Sequence, residues 1–159
     1  MQIKKLNERA IIPSKSLGNA GFDLAVQVSS EPQGTSNEDG TVTSYELQPN
    51  ETKIFKTGLS IYLQNPRLVG FILPRSKLGS KHGIVIANGT GVLDASYQGE
   101  LMLALYNRSG EAFIVSDAML VAQLVICEIP SCTDFLEVKE FTEGTVRGEQ
   151  GINCMELRA

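Results

Sequence analysis

The chain has 159 residues, of which 42% are hydrophobic and 20% are charged, and its formal net charge is -4. This length and composition predict one globular domain with a hydrophobic core and exclude a disordered polypeptide. The negative net charge argues against a general nucleic-acid binder, because neutralising phosphates requires a basic surface.

Short apolar and β-branched segments alternate with turn residues along most of the chain. Many short strands separated by Gly, Pro, Asn and Ser are typical of an all-β sandwich or barrel. Helical periodicity is nearly absent, and only RSKLGSKHG, which follows Pro74, predicts a short helical turn. The predicted strands are, in chain order, AIIP, GFDLAVQV, TVTSYELQ, TKIFKTGLSIYL, LVGFILP, HGIVIANGTGVL, LMLALYN, AFIVS and MLVAQLVICEI.

Two polar stretches interrupt the strand pattern. Residues 29–44 are rich in Ser, Gly, Pro and acidic residues, which predicts an exposed loop or hairpin tip. After Phe141 the chain continues as TEGTVRGEQGINCMELRA, with three glycines and few residues that could anchor it. We therefore predict a β domain over residues 1–141 and a flexible C-terminal arm over residues 142–159.

The sequence also limits location and metal chemistry. The N-terminus, MQIKKLNERAIIPSKS, has no apolar signal region, and no run of about 18 apolar residues occurs, so we expect a soluble intracellular protein. The three cysteines, Cys127, Cys132 and Cys154, lack CxxC spacing, which favours reduced thiols over disulfides or a zinc site. His82 is the only histidine, which excludes a multi-histidine metal site within one chain.

The segment PRSKLGSKHG, residues 74–83, combines groups that can hold a phosphate. Arg75 offers a guanidinium fork and Ser76 a hydroxyl, at a point where a strand ends and backbone N–H groups can bind an anion. An exposed basic loop accounts for the same residues, so both interpretations stay open for this segment alone.

The segment ANGTGVLDASYQGE suggests a hairpin that carries polar chemistry. Gly89 and Gly91 allow close backbone approach to a flat ligand, and Asn88 adds an amide that both donates and accepts. Asp94 is either a turn-forming residue or a partly desolvated carboxylate that orients a water. Tyr97 is either a core residue or a side chain that packs beneath the ring of a bound ligand.

Three further segments carry isolated polar residues. Asp23, in GFDLA, and Gln123, in AQLVICEI, interrupt apolar runs, where a polar side chain must find a partner or face a cavity. Arg147, in RGEQG, lies in the glycine-rich tail, which could fold over a polyanion as an arm.

Taken together and in their order along the chain, the five segments resemble the five motifs of the homotrimeric deoxyuridine triphosphatases, the dUTPases. AGFDLA is similar to the first motif, PRSKLGSKHGI to the second and NGTGVLDASYQGELML to the third. The Gln of MLVAQLVICEI matches the fourth motif, and RGEQGIN is similar to the fifth. The resemblance spans about residues 20–153.

The resemblance implies a jelly-roll subunit, a distorted β-barrel, in a homotrimer whose three active sites each draw segments from all three chains. The reaction would convert dUTP and water to dUMP and pyrophosphate, with Mg²⁺ on the triphosphate. It would limit uracil in DNA and supply dUMP for thymidylate synthesis. We expect it in the cytoplasm, or in the host cytoplasm for a viral source, without direct contact to nucleic acid or membrane.

The resemblance also implies roles for individual residues. Asp94 would activate the attacking water, Tyr97 would exclude a 2′-hydroxyl, and Asp23 would contact Mg²⁺ through a water. The other substrate-binding residues would be Arg75, Ser76, Lys77, Asn88, Gly91, Val92, Leu93, Met102, Gln123, Arg147 and Ile152.

Two of these positions depart from the family pattern. Ile152 stands where the fifth motif usually carries an aromatic residue that stacks over uracil, and Lys77 replaces a residue that is usually small. Base–aromatic stacking contributes about 1 to 3 kcal/mol. We therefore expect an active enzyme with a looser hold on its substrate.

Two alternatives stay open. A dCTP deaminase or bifunctional deaminase on the same fold uses a Glu near the hairpin, and Glu100 is the candidate, although the pairing of Asp94 with Tyr97 favours hydrolysis. A regulatory protein that uses dUTP as a switch for a protein partner is the second alternative, and the unusual tail and residues 29–44 motivate it.

Overall fold

The computed structural model describes residues 1–29, 34–38, 40–130, 134–140 and 144. These residues form eleven strands and one helix, which confirms the prediction of an all-β protein with one short helical turn. The elements are β1 (Gln2–Lys5), β2 (Gly21–Ala25), β3 (Thr35–Ser36), β4 (Val42–Leu47), β5 (Thr52–Tyr62), β6 (Leu68–Pro74), α1 (Ser76–His82), β7 (Ile84–Ile86), β8 (Gly91–Leu93), β9 (Glu100–Asn107), β10 (Phe113–Ser116) and β11 (Leu120–Glu128).

The strands pair antiparallel in three sheets. One four-stranded sheet has the order β1-β5-β9-β7, the other β2-β11-β6-β8, and a three-stranded sheet has the order β10-β4-β3. Among the described strands, only β3 and β4 are neighbours both in sequence and in a sheet. No sheet closes on itself within the described ranges, so the predicted distorted barrel is an open jelly-roll arrangement.

One apolar core joins the three sheets. Leu24 of β2, Phe55 of β5 and Val115 of β10 are completely buried in it. The ring of Tyr45 packs edge-on against Phe55, with 5.6 Å between ring centroids. Leu78 is the buried residue of α1 and anchors the helix to the core. Burial of this apolar surface supplies the main force that holds the sheets together.

Two strand predictions need correction. AIIP, residues 10–13, forms no strand, and Pro13 has no N–H to donate to a neighbouring strand. The sequence does not predict β1, because all four of its residues are exposed and show no apolar alternation. This strand forms through its pairing with β5, from Gln2 opposite Tyr62 to Lys5 opposite Leu59.

The polar stretch at residues 29–44 contains β3 and the first half of β4, which pair as a hairpin, in agreement with the predicted hairpin tip; residues 30–33 and 39 lie outside the described part. Gly40 adopts a φ of 80°, and its N–H donates to the Asn37 carbonyl at 3.0 Å. A positive φ favours glycine at this turn.

The predicted domain boundary after residue 141 stays a prediction, because Gly144 is the only described residue of the arm. Arg147, Ile152, Cys132 and Cys154 lie outside the described residues, whereas Cys127 is a free thiol. No helix in the described ranges has the length and apolar composition of a membrane span.

Asp117 fastens the turn between β10 and β11 to two other segments. Its carboxylate accepts hydrogen bonds from the N–H groups of Val28 at 2.7 Å and Ser29 at 3.2 Å, and it pairs with Arg9 at 2.8 Å. Burial acts to raise the pKa of Asp117, but the two N–H groups and the guanidinium outweigh it and hold the pKa below its ordinary value.

We expect Asp117→Asn to lower the free energy of unfolding at neutral pH by about 1 to 3 kcal/mol and to weaken its acid dependence. The folded-state pKa is depressed, so the ionised carboxylate stabilises the fold above the ordinary value of 3.8. That contribution is lost as the pH falls through the folded-state pKa. Denaturant unfolding from pH ~7 to pH ~2 measures both effects. An equally steep acid dependence in the variant would contradict the assignment.

Candidate active site

Four of the predicted site residues line one surface pocket of about 580 Å³. Asp23 comes from β2, Arg75 and Ser76 follow the end of β6, and Gln123 comes from β11. The central strand β11 brings them together, because Gln123 lies opposite Asp23 on one side and opposite Leu73 on the other. The pocket wall is almost entirely polar. We call it the Arg75 pocket.

Asp23 and Arg75 hold each other in place across this pocket. The Arg75 Nε lies 3.2 Å from Asp23 Oδ1, and the two side chains are 42% and 39% exposed. A guanidinium has five N–H donors, so pairing through Nε leaves further donors for an anion. An exposed ion pair of this kind adds little to stability. A role in binding therefore explains Asp23 and Arg75 better than a role in stability.

Gln123 faces the pocket because Gly21 leaves room for it. A Cβ on Gly21 would collide with the Gln123 side chain. Gln123 Nε2 also donates a weak hydrogen bond to the Pro74 carbonyl at 3.4 Å. The residue thus both finds a partner and faces a cavity, the two outcomes that its position in an apolar run allows.

The N-terminal segment supplies pocket residues that the sequence reasoning missed. The run PSKSLGNA, just before GFDLA, is the signal that could have found them, because it is as polar as the other candidate loops and also contains a glycine. Lys15 Nζ lies 4.9 Å from the centre of the Phe22 ring, a cation–π contact that keeps a second cation near the pocket. These additional lining residues are Ser14, Lys15, Ser16, Gly18, Asn19 and Ala20.

A second pocket, of about 230 Å³, gathers most of the other predicted residues. β8 supplies Gly91–Leu93, β9 supplies Met102, and Asp94 and Tyr97 lie in the loop between these strands. We call it the Asp94 pocket. Its lining residues are Ile72, Asn88, Gly91, Val92, Leu93, Asp94, Tyr97, Glu100, Leu101 and Met102.

Apolar side chains around the Asp94 pocket face solvent in the single chain. Val92 is 59% exposed, Met102 51% and Tyr97 42%. The Asp94 side chain is exposed as well, so the described residues of one chain do not desolvate its carboxylate. Clustered exposed apolar side chains mark a binding surface.

The two pockets share none of the described lining residues, and Asp94 and Arg75 lie toward opposite ends of β6. Gly91 lies opposite Ile72 and Leu93 opposite Gly70, so Asp94 is level with Val69. From there to Arg75 is six residues, about 20 Å at 3.3 Å per residue. A carboxylate that orients a water must lie within hydrogen-bond reach of it, about 3 Å. One chain therefore does not bring Asp94 to the Arg75 pocket.

Lys77 lies elsewhere. It lines a different cavity, of about 610 Å³, together with His82 and Phe113, although Arg75 and Ser76 border both cavities. The His82 and Phe113 rings are in contact, with 5.3 Å between their centres. Lys77 is thus not among the described residues that line the Arg75 pocket, and the backbone contact to phosphate that the resemblance implies for it stays a prediction.

The model of one protein family, dUTPase, matches residues 41–155, well over half of the sequence. The chain belongs to the dUTPase family. This dUTPase is 42% identical over 134 residues to the deoxyuridine 5′-triphosphate nucleotidohydrolase of Haemophilus influenzae (strain PittEE), an alignment that covers 84% of the chain and 79% of the relative. It is 41% identical over 160 residues to that of Neisseria meningitidis serogroup A (strain DSM 15465 / Z2491), covering 99% and 97%.

Solved dUTPase structures share the fold of this dUTPase. The dUTPase of Staphylococcus bacteriophage 80alpha with dUPNHPP superposes with a TM-score of 0.74 at 24% identity, covering 96% of this chain and 95% of that one. A mutant dUTPase from phage phi11 of S. aureus has a TM-score of 0.72 at 24% identity, covering 89% and 98%, and was described for the coordination of a structural Mg(II) ion.

The Arg75 pocket of this dUTPase fits a magnesium ion only in part. Asp23 is the carboxylate among its described lining residues, and the described residues contain no group of three or more His, Cys, Asp or Glu that could hold a metal. A single hard oxygen ligand suits Mg²⁺ when phosphates and waters supply the rest of its octahedron. It does not suit an ion that the protein alone must hold.

Proposed function

We propose that this chain hydrolyses dUTP to dUMP and pyrophosphate. The observation that carries the proposal is the 41% identity between this chain, over 99% of its length, and a relative named deoxyuridine 5′-triphosphate nucleotidohydrolase. The arrangement of the two pockets supports it, because one offers cations and amides for phosphates, and the other offers a strand edge and a carboxylate.

The Arg75 pocket binds the triphosphate in this proposal. The Arg75 guanidinium, the Ser76 hydroxyl and the Gln123 amide all border the same cavity and can donate to phosphate oxygens. Mg²⁺, when bound to the phosphates, offsets their negative charge. Asp23 is placed to accept a hydrogen bond from one of the waters that Mg²⁺ keeps.

β8 reads the uracil base in this proposal. It is the edge strand of its sheet, with β6 as its partner on one side, so its other edge presents backbone N–H and C=O groups that can pair with a ligand. Uracil offers an O4 acceptor and an N3–H donor, whereas cytosine offers an N4–H donor and an N3 acceptor at the same two positions. A site built for uracil leaves buried polar groups unpaired against cytosine, which gives selectivity.

In this proposal Asp94 acts at the α-phosphate and Tyr97 acts at the sugar. Asp94 accepts the proton of the attacking water, and the bond between the α-phosphate and the pyrophosphate leaving group breaks. No histidine is needed for this step. Tyr97, whose ring stands at the pocket wall, packs against the deoxyribose and leaves no space for a 2′-hydroxyl.

The complete site forms between copies of the chain in this proposal. Since Asp94 lies about 20 Å from Arg75 along β6, the Asp94 pocket of one copy must face the Arg75 pocket of another. A closed ring of three copies repeats this contact three times and gives a homotrimer with three sites. The predicted arm, residues 142–159, would close each site with Arg147 on the phosphates and Ile152 over the base.

Neither alternative is favoured. Glu100, the candidate base of a deaminase, accepts the Gly58 N–H at 3.0 Å through Oε1 and is therefore committed to the backbone. The phage 80alpha dUTPase is described as controlling the transfer of virulence genes, but at 23% identity that likeness extends to the fold alone. A protein partner for residues 29–44 stays a secondary proposal.

A panel of nucleotides tests the proposal. With Mg²⁺ present, we expect pyrophosphate release from dUTP at least about 100-fold faster, as kcat/KM, than from dCTP, dTTP or UTP, because each of these lacks a hydrogen-bond match or adds a clashing group. Ammonia release from dCTP would support the deaminase instead. Tight dUTP binding without turnover would support the regulatory alternative.

A further inference from the structure

The loop that carries Asp94 is attached to β5 at its far end. Ser60 Oγ donates a hydrogen bond to the Gln98 carbonyl at 2.8 Å. Thr57 Oγ1 donates to the Leu101 carbonyl at 2.6 Å, and this bond is buried. Both contacts come from one short stretch of β5, so this stretch supports the end of the loop.

The supporting stretch of β5 is a bulge. The β5–β9 ladder runs regularly up to Lys56 opposite Met102 and resumes only at Ser60 opposite Glu100. Gly58 lies between them with a φ of 69°. A bulge releases backbone groups from the ladder, and the Gly58 N–H is used here to donate to Glu100 Oε1 at 3.0 Å.

Three neighbours fix the bulge from its other side. The side-chain amides of Asn7 and Gln27 exchange two hydrogen bonds, at 3.0 and 2.9 Å. A Cβ on Gly58 would come within 2.8 Å of the Asn7 amide nitrogen, so the pair packs directly on the glycine. The Gly58 carbonyl also accepts the Leu6 N–H at 2.7 Å. The bulge is therefore a rigid support.

Glu100 connects this support to the functional groups of the loop. The Tyr97 hydroxyl donates to the Glu100 carbonyl at 2.9 Å. The Tyr97 N–H donates to the Asp94 carbonyl at 3.1 Å. Gly99 leaves the space that the Tyr97 hydroxyl occupies, because a Cβ there would collide with it. The positions of Tyr97 and Asp94 thus depend on where Glu100 is held.

We propose that Glu100 is a positioning residue: by accepting the Gly58 N–H, its carboxylate holds the loop of residues 94–100 on the β5 bulge and so sets Tyr97 and Asp94 for substrate. This inference rests on the proposed function. Glu100 needs an acceptor oxygen for this role and does not need its charge or a proton.

The distinction between acceptor and charge defines the experiment. Glu100→Gln keeps an acceptor oxygen, so we expect nearly wild-type kcat for dUTP. Glu100→Ala removes it, and a small displacement of the loop lowers kcat about 10- to 100-fold. Affinity for pyrophosphate, a probe of the Arg75 pocket, is expected to stay unchanged. Glu46→Ala, at an exposed position of β4, is the matched control.

Hydrogen exchange without nucleotide gives a second readout. We expect the Gly58 amide to exchange faster in Glu100→Ala than in the wild type or Glu100→Gln. Glu100→Met, similar in volume but without an acceptor, replaces the alanine variant if the latter does not fold, and the same loss is expected. Equal losses in the glutamine and alanine variants, or full activity in the alanine variant, would overturn the inference.

These readouts also separate the two proposals. A wild-type protein that does not hydrolyse dUTP refutes the proposed function. In that case the exchange of the Gly58 amide alone decides whether Glu100 holds the loop on the bulge.

Discussion

Asp94→Asn is expected to lower the turnover of dUTP by about 100- to 10,000-fold, the usual contribution of a general base. Asparagine keeps the shape and polarity of the side chain but cannot accept the proton of the attacking water. Binding of a non-hydrolysable dUTP analogue should change little, because in the proposed site the Arg75 pocket holds the phosphates and β8 holds the base.

Pyrophosphate release measures the turnover, and calorimetric titration with the analogue measures the affinity. Glu128→Gln is a suitable control, since it also neutralises one carboxylate, which is exposed and paired with Arg67 at 2.7 Å. We expect this control to behave like the wild type. A large loss of analogue affinity in Asp94→Asn would show that the carboxylate serves ground-state binding instead of the chemical step.

Mixing Asp94→Asn chains with Arg75→Ala chains is expected to restore activity that neither variant has alone. The two residues lie at opposite ends of β6 within one chain, so the proposed site takes Arg75 from one copy and Asp94 from the next. With equal amounts and random assembly into rings, about a quarter of the sites combine the two intact halves.

The measurement is dUTP turnover after the two variants are unfolded together and refolded, compared with each variant refolded alone. Asp94→Asn mixed with Tyr97→Ala is the matched control, because both residues belong to the Asp94 pocket. No site in that mixture gains an intact Asp94 pocket, so no restoration is expected. Absence of restoration in the first mixture would contradict a site shared between copies.

The sequence predicts the structure most accurately where the signal is local. LVGFILP predicts β6 with the bounds Leu68–Pro74 that the structure has, because an apolar run ends there at a proline. RSKLGSKHG predicts a helical turn, and α1 lies within it. Asp23, Arg75, Ser76 and Gln123 were singled out by residue type, and the fold places all four around one pocket.

A strand that depends on its partner carries no such local signal. β1 carries no apolar pattern, since it is an exposed edge strand, and only β5 makes it a strand. The sequence does not indicate that Lys15 and its neighbours line a pocket, because a loop lines a pocket only after a strand from elsewhere in the chain has folded next to it. The roles of Arg147 and Ile152 stay predictions, since both lie outside the described residues.

By itself, the sequence determined the all-β class, the helical turn after Pro74, and the residue types available for phosphate and base binding. These follow from alternation and turn residues, which act over a few positions. Only the tertiary structure decided that Gln123 stands opposite Asp23, that Arg75 and Asp94 lie at opposite ends of β6, and that Glu100 reaches the bulge at Gly58. Those facts depend on strand order and register, which are set by which distant segments bury their apolar faces together.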